Sequence, residues 1–214
     1  TESLWNIMKW HGIPDKFIRI TKLLHSNTQC CVSDDGCNSE WFSVDTGVKQ
    51  GCIMAGFLFL LMIDYTMRKT TEAATRGIRW KFTTCLEDMD FADDIFLISS
   101  VREHMQSKTT CLNKTAKTTG LNVSTEKTKI QRINHKNKEP VILNNEPIEE
   151  VEEFKYLGSI ISKDGGAKQD IAARKKKAQA AFFQLRPVWK SKSISTRTKI
   201  KIYRSNVRAV LLYG

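Results

Sequence analysis

Asp93 and Asp94 stand side by side between two short β-type runs, residues 86–91 and 95–99, with Phe91 and Ile95 flanking them. Adjacent acids in such surroundings repel one another and lose hydration, and a hard divalent cation relieves both costs. Carboxylate-held Mg²⁺ is the usual construction of a phosphoryl-transfer site. In most chains, however, an Asp-Asp pair is an ordinary turn, so the flanking pattern carries the weight. Two short runs around Ala92-Asp93-Asp94 predict a tight hairpin with acids at its tip. Asp88 and Asp90 lie on the same hairpin, but strand alternation cannot bring both to the metal side together with the tip.

The elements that must hold this tip follow from periodicity. Leu4, Ile7 and Met8 predict a first helix, and Gly12-Ile13-Pro14-Asp15 ends it and opens a second, marked by Phe17, Ile20, Leu23 and Leu24. A hairpin is expected over 29–33 and 41–45 around an Asp35-Gly36 turn, followed by a loop over 47–51. Residues 52 to about 69 are apolar almost all round, which predicts a helix buried on most sides. Met105, Leu112 and Ala116 predict a helix over 101–119, stopped by Gly120. Weak strands are expected at 129–134 and 141–143, turning at Asn144-Asn145, and a strand pair at 154–157 and 159–161. Helices then follow around Ile171, Ala178, Phe182 and Leu185, and, after Pro187, over 196–213. The composition shift at Gly165-Gly166 marks the expected domain boundary.

Charge is unevenly placed. The chain carries 34 Lys and Arg against 23 Asp and Glu, a net of +11, yet residues 168–208 alone hold thirteen basic side chains and one acid, Asp170. Such a segment calls for a polyanionic partner, nucleic acid before an anionic membrane surface. The 41% apolar fraction supports a packed core and argues against general disorder. The longest membrane-span candidate, 53–67, is broken by Asp64. Six cysteines without CxxC spacing and four scattered histidines support neither a zinc site nor a disulfide framework. Reduced thiols in an intracellular compartment, nuclear or cytoplasmic, are expected.

Phe91-Ala92-Asp93-Asp94 followed by Ile95-Phe96-Leu97-Ile98 resembles the aromatic-x-Asp-Asp hairpin of reverse transcriptases. Thr46-Gly47-Val48-Lys49-Gln50-Gly51-Cys52 followed by Phe57-Leu58-Phe59 is similar to that family's Gln-Gly loop and helix. Gly120-Leu121-Asn122-Val123 and Glu126-Lys127-Thr128-Lys129 resemble the palm segment that carries a family lysine. Phe154-Lys155-Tyr156-Leu157-Gly158 resembles the primer-grip hairpin. The stretch from Thr198-Lys199-Ile200 to Val210-Leu211-Leu212-Tyr213-Gly214 is similar to the thumb of non-LTR (LINE-type) retrotransposon enzymes. Five segments in the family's order and spacing are specific where each alone is not.

The resemblance implies an α+β fold: a right-hand polymerase palm over 1–165, built as an antiparallel sheet with packed helices, then the start of a helical thumb over 166–214, with the fingers absent. It implies RNA-directed DNA synthesis from deoxynucleoside triphosphates on an RNA template with a DNA primer, with Mg²⁺ as cofactor. Asp93 would be a metal ligand and Asp94 its supporting carboxylate. Gln50 and Gly51 would touch the template and the nascent base pair. Lys127 or Lys129 would sit near the triphosphate, and Phe154, Tyr156, Leu157 and Gly158 would shape the primer grip. Lys175, Lys176, Lys177, Lys190, Lys192, Arg197, Lys199 and Arg204 would track the nucleic-acid backbone.

The sequence departs from the family in having Ile53-Met54-Ala55-Gly56 where prolines are usual, which loosens the Gln-Gly loop. Phe91 in place of Tyr is ordinary for the non-LTR branch. The family's earlier palm strand, with its own catalytic Asp, has no counterpart in these residues. The expectation is therefore a fragment with two of the carboxylates, binding Mg²⁺ weakly and polymerising nothing by itself. The alternative is a non-catalytic nucleic-acid-binding remnant that works through its basic C-terminal helices.

Overall fold

A computed structural model describes residues 2–26, 28–44, 52–72, 76–80, 84–134, 137 and 139–213. Two units emerge, residues 1–125 with 139–147, and residues 126–138 with 148–214.

In the first unit, α1 (Glu2–Trp10) and α2 (Asp15–His25) bury Leu4, Trp5, Met8 and Ile18 against Leu58 of α3 (Ile53–Thr71). Leu58 is 1% exposed, so trimming it to Ala costs about 2–5 kcal/mol. Helix α4 (Arg102–Thr119) packs along α3 and ends at Gly120, whose φ of 84° supplies the left-handed stop that the sequence predicts. Threonines pack at this interface because their hydroxyls return to their own helices. Thr66 donates to Met62 O, Thr70 to Thr66 O and Thr109 to Met105 O.

Helix α3 departs from expectation. Ile53, Phe57 and Leu60 are 98%, 56% and 56% exposed, while Ile63, Thr66 and Met67 are buried. Its apolar residues occupy every azimuth, so composition cannot select the packed side; α1 and α4 take one side and leave this face open.

The strands of this unit are short. The first expected hairpin forms as two ladders: β1 (Gln29–Cys30), β2 (Ser33–Asp34), β3 (Cys37–Asn38) and β4 (Phe42–Ser43), with β2 pairing β3 across Asp35-Gly36 and β1 pairing β4. β5 (Ile78–Arg79) pairs β6 (Cys85–Leu86), and β7 (Asp88–Phe91) pairs β8 (Asp94–Leu97), both antiparallel. Ile95 and Leu97 lie against the Ile63, Met67 and Leu112 cluster, which seats the β7–β8 hairpin on α3 and α4.

The second unit pairs β9 (Lys129–Ile130) in parallel with a strand twenty residues away. Between them the chain returns to the first unit as β10 (Ile142–Leu143) and β11 (Glu146–Pro147), turning at Asn144-Asn145 as expected. The partner of β9 is β12 (Glu149–Glu150), which no local pattern announces. β13 (Glu153–Tyr156) and β14 (Ser159–Ser162) then form the strand pair expected at 154–161.

Helix α5 (Lys168–Gln184) packs on β14, and Pro187, near the start of α6 (Arg186–Lys190), ends one helix by opening the next. A last rod follows: α7 (Thr196–Ile202), a π-helical turn (Tyr203–Arg208) and α8 (Ala209–Leu212). From the π turn, the Asn206 side-chain amide donates back to Ile202 O of α7 at 3.0 Å.

Candidate functional site

The two-residue connection Ala92-Asp93 joins β7 to β8 with Phe91 opposite Asp94, so both acids lie at the hairpin tip and both are exposed. Ala92 has φ 55°, the positive value a tight primed hairpin turn demands and glycine supplies more cheaply. The register sorts the hairpin's carboxylates by face. Asp88 lies opposite Leu97 and Asp90 opposite Ile95, on the face that meets the helices. Asp94 shares the other face with Phe91. Burial, then the charge of Asp90, pushes the Asp88 carboxyl above its ordinary value, against the pull of Lys108.

Lys108 holds the open end of this hairpin. Its ammonium donates to Glu87 O at 2.9 Å and Ile98 O at 2.7 Å, the carbonyls just beyond the last ladder pair, and lies 2.5 Å from the Glu87 carboxylate. Lys108 is 1% exposed. Glu87 Oε1 in turn accepts the backbone N–H groups of Arg76 and Gly77 at 2.8 and 2.9 Å. Burial favours the neutral Glu87 carboxyl, but the Lys108 ammonium, the Gly77 N–H and the Cys85 thiol together outweigh it and hold its pKa below the ordinary value. Loss of water and the bond to Glu87 push the Cys85 thiol up. Gly77 belongs to this arrangement, because a Cβ there would stand 2.0 Å from Leu86 O.

In the second unit, Leu157 (φ 48°) and Gly158 (φ 88°) turn β13 into β14. Two charged residues of α5 hold this turn. Asp170 Oδ1 accepts the Ile160 N–H at 2.9 Å, and its Oδ2 accepts Arg174 Nε at 2.7 Å. The Arg174 guanidinium also donates to Ser159 Oγ at 2.5 Å and to Tyr213 O. The Tyr213 ring packs at Gly158, where a Cβ would lie 3.1 Å from it.

The structure thus puts Asp93 and Asp94 together at one tip in the first unit. In the second, it puts Phe154, Tyr156, Leu157 and Gly158 on one hairpin, with Phe154 and Tyr156 half-buried on one face and Leu157 exposed. Gln50 and Gly51 lie outside the described residues. Lys127 is exposed, whereas Lys129 forms an ion pair with Glu149 across the parallel ladder. Lys175, Lys176, Lys177, Lys190, Lys192, Arg197 and Arg204 are all exposed. Lys199 is half-buried, and its ammonium caps Trp189 O and Ser191 O at 3.0 and 2.6 Å.

Glu87, Lys108 and the Asp170–Arg174 pair were not singled out by the sequence reading. A signal existed for Lys108 and for Asp170. Lys108 falls three residues after Met105 and four before Leu112, inside the apolar stripe, and Asp170 is the lone acid of the basic segment.

Among the described residues no group of three or more His, Cys, Asp or Glu side chains is arranged to hold a metal; at the hairpin tip Asp93 and Asp94 are a pair of neighbouring exposed carboxylates. Such a set suits Mg²⁺, which is commonly held by one or two carboxylates together with substrate phosphates. No described helix is long and apolar enough to cross a membrane.

Residues 1–161 match the family model described as reverse transcriptase (RNA-dependent DNA polymerase). Residues 181–213 match a model described only as a domain of unknown function. Comparison with curated proteins gave no match.

Proposed function

The chain belongs to the reverse transcriptase family, and from that premise we propose that it is the palm (residues 1–165) and the start of the thumb (166–214) of a non-LTR retrotransposon enzyme. The observation that carries this reading is the Asp93–Asp94 tip of the β7–β8 hairpin, lying within the matched residues. Asp93 and Asp94 hold Mg²⁺, which when bound activates the attacking primer oxygen and stabilises the charge that develops in transfer. Lys108 and Glu87 fix the hairpin beneath that tip. The 157–158 turn shapes the primer grip, Gln50 and Gly51 meet the template base pair, and Lys127 or Lys129 serves the triphosphate. The exposed cations from Lys175 to Arg204 follow the phosphates of the primer–template duplex, with affinity falling steeply as salt rises.

With two of the family's carboxylates, these 214 residues bind the cation weakly and extend no primer by themselves. Titration with Mn²⁺, read by electron paramagnetic resonance, should detect weak binding that Asp93→Ala with Asp94→Ala removes. Unchanged binding in that double variant would sink the metal assignment. An RNA-templated primer-extension assay on the same chain decides its standing as an enzyme. Extension abolished by Asp93→Ala would make the 214 residues a polymerase in their own right. Salt-sensitive duplex binding without Mn²⁺ binding or extension would favour a non-catalytic remnant, a reading supported by the net charge of residues 168–208.

A further inference from the structure

We propose that residues 181–192 form a stacking shelf for unpaired bases of single-stranded nucleic acid, a binding mode distinct from the phosphate tracking assigned to the thumb. The inference does not rest on the polymerase reading. Residues 181–213 contain eight Lys and Arg and no acid. Within this cationic segment Phe182 is 42% and Phe183 67% exposed. An apolar protein partner would gain nothing from that charge, whereas a nucleic-acid strand satisfies both features at once.

The shelf is built in advance. The rings of Phe182 and Trp189 stack at 5.3 Å with 20° between planes, and Phe183 stands edge-on to Phe182 at 6.3 Å. The Trp189 indole N–H donates to Phe182 O at 2.7 Å, which ties α6 back onto the end of α5. Lys199 caps the other end of α6 through Trp189 O and Ser191 O. A platform so restrained loses little rotamer freedom when a base settles on it. Arg186, Lys190 and Lys192, all exposed and next to these rings in the chain, are placed for the phosphates of the same strand. Duplex DNA hides its base faces, so the rings select unpaired strands while the cations serve both.

Fluorescence anisotropy on the full chain, with a labelled deoxythymidine oligonucleotide, a duplex of equal length and a strand of abasic spacers, tests this assignment. Phe183→Ala, or Phe182→Ala where circular dichroism shows the fold retained, should weaken binding of the thymidine strand by roughly 5- to 150-fold. The slope of log affinity against log salt should stay the same, because the phosphate contacts are intact. Duplex affinity should be unchanged, and the abasic strand should bind the unaltered chain as weakly as the thymidine strand binds the variant. Equal losses on duplex and single strand, a reduced salt slope, or no loss in either variant would overturn the proposal. So would sedimentation showing that Phe183→Ala abolishes self-association and leaves strand binding untouched. None of these readouts involves Asp93 or divalent ions, so failure here is distinguishable from failure of the polymerase reading.

Discussion

Ala92 is where backbone geometry and the proposed chemistry meet, since its positive φ lets a two-residue turn hold both acids at the tip. A non-glycine residue there stores about 1–3 kcal/mol of strain. Ala92→Gly should therefore leave thermal stability equal or slightly raised, whereas Ala92→Val should lower it by more than 1 kcal/mol; differential scanning calorimetry distinguishes them. Glu87 and Lys108 are the second residue-scale device. Removing one partner of a buried pair costs about 3–5 kcal/mol, so Glu87→Gln should lower the denaturation midpoint of the first unit sharply at neutral pH. The pH dependence has a definite sign. Glu87 titrates below its ordinary value in the fold, so its contribution is present above the usual glutamate range, about 4.3, and is lost as pH falls further. Asp88 is shifted the other way, so its ionisation costs stability as pH rises through the aspartate range. Asp88→Asn should raise the neutral-pH midpoint and leave the acid limb in place, and urea titrations at several pH values would show it.

At the scale of elements, the β13–β14 hairpin depends on a helix more than on its own ladder. Each strand is four residues long, and an isolated hairpin of that size is marginal in water. Asp170 and Arg174, one turn apart on α5 and each about 15% exposed, supply what is missing through Ile160, Ser159 and Tyr213. Asp170→Ala should release the Ile160 amide and cost about 1.5–3 kcal/mol. Hydrogen exchange would report it as lost protection over residues 153–162, with residues 102–119 unaffected. An unaltered exchange pattern would show that the turn is held by its ladder alone. The β7–β8 hairpin follows the same logic with a donor in place of an acceptor, since α4 reaches its open end through Lys108. In both cases a helix side chain answers backbone groups that the two strands of a short ladder leave over.

For the molecule as a whole, charge and core are divided unequally. The first unit has two clusters of buried apolar residues, around Leu58 and around Leu112. In the second, the buried apolar side chains among the described residues are Ile148, Ala178 and Val207, while Ile171, Phe183, Leu212 and Tyr213 are exposed. Duplex DNA held by its cations should act as a ligand that stabilises the second unit by mass action. Its thermal midpoint should rise with added duplex at low salt and return to its free value at about 1 M salt, where the Debye length shrinks to about 3 Å; calorimetry across a salt series measures this. Much of this plan is legible in the chain. Period and punctuation announce the helices and the two hairpins, because 3.6-residue apolar spacing, Gly120 and the Ala92-Asp93 and Leu157-Gly158 turns are local features. The hairpin acids, the charge asymmetry and the family resemblance are read from sequence for the same reason. Pairing across distance is another matter. The parallel β9–β12 ladder, the open face of α3, Lys108 beneath the Asp hairpin and Asp170 on the Ile160 amide are choices among many compatible partners. Only the packed chain makes those choices, because a buried lysine or a lone aspartate has an affordable energy solely where tertiary contacts bring its carbonyls, amides and counter-ion within reach.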